Sequence, residues 1–228
     1  MERGRLEAFS DGVFAVAITL LALDLNIAGP GHGSLAHQLG RHWSQFVAYL
    51  VSFITIGIIW VNHHALVRNI AKVERTLLFL NLSLLLFVVL IPSATSTMAS
   101  YLSRPSYDSH VAMALYAGVF EGMAVTFGAI FAWTLREGRT HHPVAPETRQ
   151  AAAGRFLAGV VPYLAAIGIA FVSPLASLGL IAAVAVYYVF ENTPNPSRRA
   201  PPPALDGPDS GYHGRPVGPT GATGVGTL

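Results

Sequence analysis

Six long apolar windows, separated by charged or polar loops, constrain this chain more than any other feature of its sequence. We place them at residues 9–28, 44–66, 76–98, 110–135, 153–172 and 175–191. A helix needs about 20 apolar residues to cross the hydrocarbon core of a bilayer, and each window has roughly that length. The pattern therefore predicts an all-α membrane protein with six transmembrane helices.

The composition supports this class and excludes several others. Only 11% of the residues are charged, whereas soluble domains carry about one quarter. The chain has no cysteine, which excludes disulfides, thiolate metal sites and cysteine nucleophiles. Its net charge is only +2 and its basic residues are dispersed between the windows, so we expect no nucleic-acid partner.

The distribution of basic residues predicts how the chain is oriented across the membrane. With six spans, every Lys and Arg except Arg41 and Arg104 falls on the side that carries both termini. Because cytoplasmic loops are enriched in these residues, both termini are predicted to be cytoplasmic. An odd number of spans would destroy this asymmetry.

The chain divides into two regions of different composition. Residues 1–192 form the six-span domain, in which Ser173 and Pro174 predict a tight hairpin between the last two spans. Residues 193–228 are rich in proline and glycine, and such segments bury too little apolar surface to fold. We expect a disordered cytoplasmic tail.

A compact motif stands at the start of the first window. Arg5, Phe9, Ser10 and Asp11 form the pattern Arg-x-x-x-Phe-Ser-Asp. This pattern resembles the signature of the transmembrane protein 175 family, potassium-permeable channels of endolysosomes and prokaryotes. The motif occurs once and no six-span unit is duplicated, so the chain resembles the single-unit prokaryotic branch.

The resemblance carries several implications. It implies a homotetramer in the prokaryotic inner membrane, with the first helix of each subunit lining a central pore. It implies potassium as the permeant ion, no cofactor, no enzymatic activity, and no partners beyond other copies of the chain, membrane lipid and K⁺.

A stripe of apolar residues follows the motif along the first window. Its members recur at intervals of three and four and so share one helix face: Phe9, Val13, Val16, Leu20, Leu23 and Ile27. Periodicity alone favours packing of this stripe against a neighbouring helix. The resemblance instead implies that Val16, Leu20 and Leu23 form aliphatic constriction layers, and rings of such side chains close a pore by dewetting.

Two polar residues near this stripe have alternative interpretations. Thr19 would offer its hydroxyl to a passing ion, or bond to a carbonyl of its own helix one turn earlier. Asp24 would form an acidic ring that concentrates cations at the pore mouth, or be a solvated residue at a helix end.

Trp60, His63 and His64 lie near the cytoplasmic end of the second window. The resemblance implies that a tryptophan and a histidine here hold the arginine–serine–aspartate cluster by hydrogen bonds. A metal site is the competing interpretation. It is disfavoured because consecutive helix positions point about 100° apart, so adjacent histidines do not easily share one ion.

Glu121 and Asn81 are polar residues inside the fourth and third windows. A carboxylate near the bilayer centre is costly and must be buried, paired or protonated. We expect an interhelical hydrogen bond, for example near Thr126, rather than a proton-sensing or relay role for Glu121.

Three classes of function are open to a six-span membrane protein. The leading hypothesis is a channel with modest K⁺ over Na⁺ selectivity, because the chain has no Thr-Val-Gly-Tyr-Gly filter. The alternative is a secondary transporter or proton-coupled carrier, which commonly has helices broken by glycine or proline and inverted repeats. An enzyme is disfavoured because no nucleophile, base and metal ligands converge in the sequence.

Overall fold

The structure is a computed structural model of one chain. It describes residues 3–23, 25, 34–103, 106–136, 139–140 and 146–190, and it excludes the side chains of 146–153 and 155–158. Asp24, Ile27 and the predicted tail at 193–228 lie outside the described residues. The helices within the described part are α1 (Arg3–Leu23), α2 (Leu35–Arg41), α3 (Trp43–Arg68), α4 (Arg75–Leu102), α5 (Tyr107–Thr134), α6 (Pro146–Ala170) and α7 (Pro174–Phe190).

The all-helical, six-span fold class is confirmed. Four helices, α1, α3, α4 and α5, are long and apolar enough to cross a membrane, and shorter apolar helices follow at Gly159–Ala170 and Pro174–Phe190. Each predicted window overlaps one of the helices α1, α3, α4, α5, α6 and α7, and most of the first window beyond Leu23 lies outside the described residues. The short helix α2 was not predicted; it begins where Ser34 Oγ accepts a hydrogen bond from the His37 backbone N–H at 3.3 Å.

The long helix α4 lies at the centre of the bundle and contacts α1, α3 and α5. A buried hydroxyl network joins three of these helices: Ser52 Oγ of α3 lies 2.8 Å from Thr95 Oγ1 of α4 and 2.9 Å from Tyr116 Oη of α5. Inside a membrane such interhelical bonds replace water for groups that would otherwise be unsatisfied. Within the described part of the chain, the main contacts of the first helix, α1, are with α3 and α4.

The α6–α7 connection is the tight hairpin that the sequence predicts. Helix α6 ends at Ala170 and α7 begins at Pro174, where proline is favoured because the first helical N–H has no partner. Ser173 Oγ accepts a hydrogen bond from the Ala176 N–H at 3.3 Å. Ser177 Oγ donates to the Ala166 carbonyl at 2.7 Å and joins the two helices.

Two loops are tied together at the end of the bundle where α3 ends and α4 begins, which we call the basic end. Ile70 and Thr140 form an antiparallel bridge, and the Ala71 N–H donates to the Arg139 carbonyl at 2.9 Å. The Arg139 side chain forms an ion pair with Glu74 at 3.2 Å. The connection between α3 and α4 is therefore held in a defined conformation.

Close packing of α4 on α5 yields the first prediction. A Cβ atom at Gly122 would collide with the Phe87 ring, whereas one at Gly118 meets nothing within 4 Å. We expect Gly122→Ala to lower the free energy of unfolding by about 1–3 kcal/mol, the usual cost of overpacking. Detergent-induced unfolding followed by circular dichroism would measure it.

Gly118→Ala is the matched control, because it makes the same change on the same helix without the collision. The double variant Gly122→Ala/Phe87→Leu should recover part of the loss. Equal stabilities of Gly122→Ala and Gly118→Ala would contradict this account of the α4–α5 contact.

Candidate pore helix and its polar anchor

One face of α1 is buried in the subunit. It consists of residues spaced by three or four positions: Leu6, Ser10, Phe14, Ala17 and Leu21. This face packs against α3 and α4. The buried stripe begins in the Arg-x-x-x-Phe-Ser-Asp motif, so Ser10 points into the subunit while Phe9 does not.

The apolar stripe identified from the sequence lies on a different face, and most of it is exposed. The exposed fractions are 51% for Phe9, 55% for Val16, 40% for Leu20 and 77% for Leu23. Val13 is partly buried against the core. Packing of this stripe on a helix of the same chain, which periodicity alone favoured, therefore does not occur along most of its length.

Thr19 is exposed beside the stripe. Its Oγ1 donates to the Val16 carbonyl at 2.8 Å, so the hydroxyl proton is used within α1. The hydroxyl oxygen remains able to accept a hydrogen bond or contact a cation. Both interpretations of Thr19 are thus compatible with the same geometry.

Trp60 joins α3 to the motif on α1. Its Nε1–H donates to Asp11 Oδ1 at 2.8 Å. Bonds to an ionised acceptor are shorter and stronger than neutral ones. This contact fixes the rotation of α1 at the depth of Asp11.

A buried polar chain connects three helices at the same level. His63 Nε2 of α3 lies 2.7 Å from Asn81 Oδ1 of α4; since a carbonyl oxygen only accepts, His63 carries its proton on Nε2. Asn81 Nδ2 donates to Ser10 Oγ at 3.0 Å, and Ser10 Oγ donates to the Leu6 carbonyl at 2.9 Å. All three side chains are at most 2% exposed. We call His63, Asn81 and Ser10 the polar anchor.

The adjacent histidines contact different helices. His63 bonds to α4, whereas His64 Nδ1 lies 3.0 Å from Glu7 Oε1 of α1. The Phe14 ring packs against His63 with ring centroids 5.5 Å apart. The two imidazoles thus stabilise two separate helix contacts.

The two motif-region arginines lie at the start of α1. Arg5 is exposed, and within the described part of one chain it forms no hydrogen bond to another helix. Arg3 Nη1 donates to the Arg68 carbonyl at the end of α3, at 3.0 Å. Of the cluster that Trp60 and a histidine were expected to hold, the arginine therefore makes no hydrogen bond to either side chain among the described residues.

The interhelical hydrogen bond expected for Glu121 is also not observed among the described residues. Its Oε2 is buried and has no hydrogen-bond partner among the described residues. Thr126 Oγ1 donates to the Gly122 and Met123 carbonyls of its own helix, at 2.8 and 3.0 Å. Five positions on one helix turn side chains about 140° apart, so Thr126 is poorly placed to reach Glu121.

Sequence reasoning missed two residues of this site. Asn81 was recognised only as a polar residue in an apolar helix, and Glu7 was not singled out. An amide inside a transmembrane helix signals a buried partner. That partner, Ser10, is 71 positions away, and no local spacing reveals it.

Together, the apolar helices, the central α4 and the polar anchor define an all-helical integral membrane protein. The family model described as endosomal/lysosomal potassium channel TMEM175 matches residues 5–92, which run from Arg5 to Pro92 and include the motif, most of α1, and α3. A potassium channel of Streptomyces collinus is 44% identical over 205 residues, covering 89% of this chain and 99% of that protein. The chain belongs to the TMEM175 family.

Two further comparisons agree with this assignment. A potassium channel of Chamaesiphon minutus is 34% identical over 202 residues, covering 84% of this chain and 95% of that protein. The crystal structure of a lysosomal potassium-selective channel TMEM175 homolog from Chamaesiphon minutus matches with a TM-score of 0.70 and 32% identity. That match covers 82% of this chain and 96% of the solved chain.

Proposed function

We propose that this chain is the subunit of a potassium channel whose pore is lined by α1. The observation that carries the proposal is the separation of two faces on α1: one is buried on α3 and α4, and the other leaves Val16, Leu20 and Leu23 exposed. The similar potassium channels span nearly the same length as this chain. They support potassium as the permeant ion.

A pore lined by one helix per chain requires several copies. The resemblance of the motif to the prokaryotic channels supports four, arranged around a central axis. The exposed face of α1 would then point to the axis and its buried face to α3 and α4. Arg5, exposed at the start of α1, is placed to contact a neighbouring subunit.

The aliphatic stripe provides the gate in this proposal. Rings of Val16, Leu20 and Leu23 exclude water when the four helices are close, and a small outward movement lets a partly hydrated cation pass. Selectivity for K⁺ over Na⁺ is then modest, because no ring of carbonyl oxygens replaces the hydration shell. Thr19 Oγ1 contacts the ion, and Asp24 attracts cations at the outer mouth.

The polar anchor positions the gate rather than contacting ions. Bonds from Trp60 and from the His63–Asn81 pair hold α1 to α3 and α4 on the side away from the stripe. Movement of α3 or α4 is thereby transmitted to α1. The charge distribution supports cytoplasmic termini in a prokaryotic inner membrane.

Flux through the purified full-length protein in liposomes tests the function. We expect K⁺ efflux down its gradient and a smaller flux when Na⁺ replaces K⁺. Planar-bilayer recording adds the discriminating result, since a channel gives unitary current steps. A saturating flux that requires a countertransported ion or proton would favour the carrier alternative and would overturn the channel proposal.

A further inference from the structure

The connection between α3 and α4 presents three exposed cations within eight residues: Arg68, Lys72 and Arg75. Because α3 ends at Arg68 and α4 begins at Arg75, this loop lies at the surface of the bilayer. We propose that it binds the headgroup of an anionic phospholipid in the leaflet that meets the basic end. This inference goes beyond ion conduction and does not depend on it.

The one acidic residue of the loop does not compete for these cations. Glu74 Oε2 lies 3.2 Å from Arg139 Nη1, and the Arg139 guanidinium also stacks on the Trp133 ring at 4.1 Å. The carboxylate of Glu74 is thus neutralised by a residue from another loop. The three cations of the loop remain available to a phosphate.

The loop is held in place before a lipid binds. The Ala71 N–H donates to the Arg139 carbonyl at 2.9 Å, and Ile70 pairs with Thr140. Arg3 Nη1 donates to the Arg68 carbonyl at 3.0 Å. A preformed site loses less conformational entropy on binding than a mobile one.

An apolar surface continues from the cations into the membrane. Phe79 lies one turn into α4 and is 58% exposed, and the Arg75 guanidinium lies 5.6 Å from its ring centroid. A lipid bound by its phosphate at the loop would place an acyl chain along this face. The combination of cations and an adjacent apolar face fits a lipid better than a free phosphate.

The basic loop also fits the general enrichment of cations on one membrane side, which sets orientation during insertion. That role acts during insertion and requires no lipid to stay bound, whereas a headgroup site requires the cations of the loop to bind an anionic lipid in the folded protein. Binding to the folded protein therefore distinguishes the two.

Fluorescence quenching measures the binding directly. The full-length protein is reconstituted in phosphatidylcholine vesicles, and brominated phosphatidylglycerol or brominated phosphatidylcholine is titrated in while tryptophan emission is recorded. The protein carries Trp43→Phe, because Trp43 is 43% exposed at the opposite end of α3; the emission of Trp60, 40% exposed on α3, then reports on lipid nearer the basic end. We expect a preference for phosphatidylglycerol that falls about fivefold in Lys72→Gln and is absent in Arg68→Gln/Lys72→Gln/Arg75→Gln.

Three comparisons make the result decisive. Arg136→Gln removes an exposed cation at the same end but outside the loop, and it should leave the preference unchanged. Arg68→Lys/Arg75→Lys keeps the charge and should retain most of the preference. Loss of the preference on addition of about 0.5 M salt is also expected, because this salt shortens the Debye length to roughly 4 Å, about half its value at physiological ionic strength.

The proposal is overturned if the triple variant, shown by circular dichroism to keep its helices, retains the full preference. It is equally overturned if Arg136→Gln lowers the preference as much as Lys72→Gln does. A wild-type protein without any preference for phosphatidylglycerol would overturn it at the first step.

Discussion

We expect Leu20→Ala to raise the potassium flux of the reconstituted protein, on the order of tenfold, which corresponds to lowering the barrier by about 1.4 kcal/mol. In the proposed pore, Leu20 forms the middle aliphatic ring, and truncation removes three carbon atoms from each subunit. Burying a CH₂ group away from water is worth about 0.8 kcal/mol, so a ring of alanines opposes hydration of the pore much less. The wider ring also requires less dehydration of the ion, so the K⁺ over Na⁺ ratio falls.

Liposome flux with K⁺ and then Na⁺, on preparations with equal amounts of intact oligomer, measures both effects. Leu115→Ala is the matched control. Leu115 is a leucine of α5 that is 52% exposed, compared with 40% for Leu20, and α5 does not pack on α1 to any substantial extent. We expect Leu115→Ala to conduct as the unmodified protein does.

Variants in the two neighbouring rings provide the result that would contradict the pore assignment. Val16→Ala and Leu23→Ala should also raise the K⁺ flux. The increase should be smaller for Val16→Ala, because this substitution removes fewer carbon atoms. If all three variants conduct like the unmodified protein, α1 does not carry the gate. An equal increase in Leu115→Ala would instead indicate a general loosening of the bundle.

The fold was predictable because the membrane enforces it. Apolar windows must form helices there, and the windows at 44–66 and 76–98 correspond to α3 and α4. The observed helices extend further, to Arg68 and Leu102, because helix formation continues past the apolar region into polar residues. The length of an apolar window alone therefore does not predict the residue at which the helix ends.

The candidate site was predictable only in part. The spacing of Val16, Leu20 and Leu23 within one helix predicts that they share a face. In the structure that face is exposed. The polar anchor depends on contacts between Ser10 and Asn81, which lie on different helices. Their pairing is set by how α1 and α4 pack, and a single sequence carries no signal for it.

We expect Asn81→Leu to lower the free energy of unfolding by about 2–4 kcal/mol, more than any other single change in the polar anchor. The substitution keeps the number and branching of the non-hydrogen side-chain atoms but removes the acceptor of the His63 Nε2–H and the donor to Ser10. His63 is 1% exposed, so its N–H finds no water in exchange. An unsatisfied buried donor costs about 1–3 kcal/mol by itself.

Detergent-induced unfolding of the reconstituted or micellar protein, followed by circular dichroism, measures this loss. Ser10→Ala and Ser83→Ala form a matched pair, because each hydroxyl donates to the carbonyl four residues earlier at 2.9 Å. Only Ser10 also accepts from Asn81. Ser10→Ala should therefore be the more destabilised, by about 0.6–2 kcal/mol, and equal stabilities would contradict a role for the interhelical bond.

A double-mutant cycle isolates the central bond of the anchor. His63→Leu removes the donor that Asn81→Leu leaves unsatisfied, so the double variant should be more stable than the sum of the two losses predicts, by at least about 1 kcal/mol. Strict additivity would show that His63 and Asn81 stabilise the protein independently. Because the anchor fixes the rotation of α1 at Ser10, about 80° around the helix from Leu20, its loss should also change K⁺ flux. Leu115→Ala remains the control for the flux measurement. The change in K⁺ flux should appear even in preparations whose oligomer is intact.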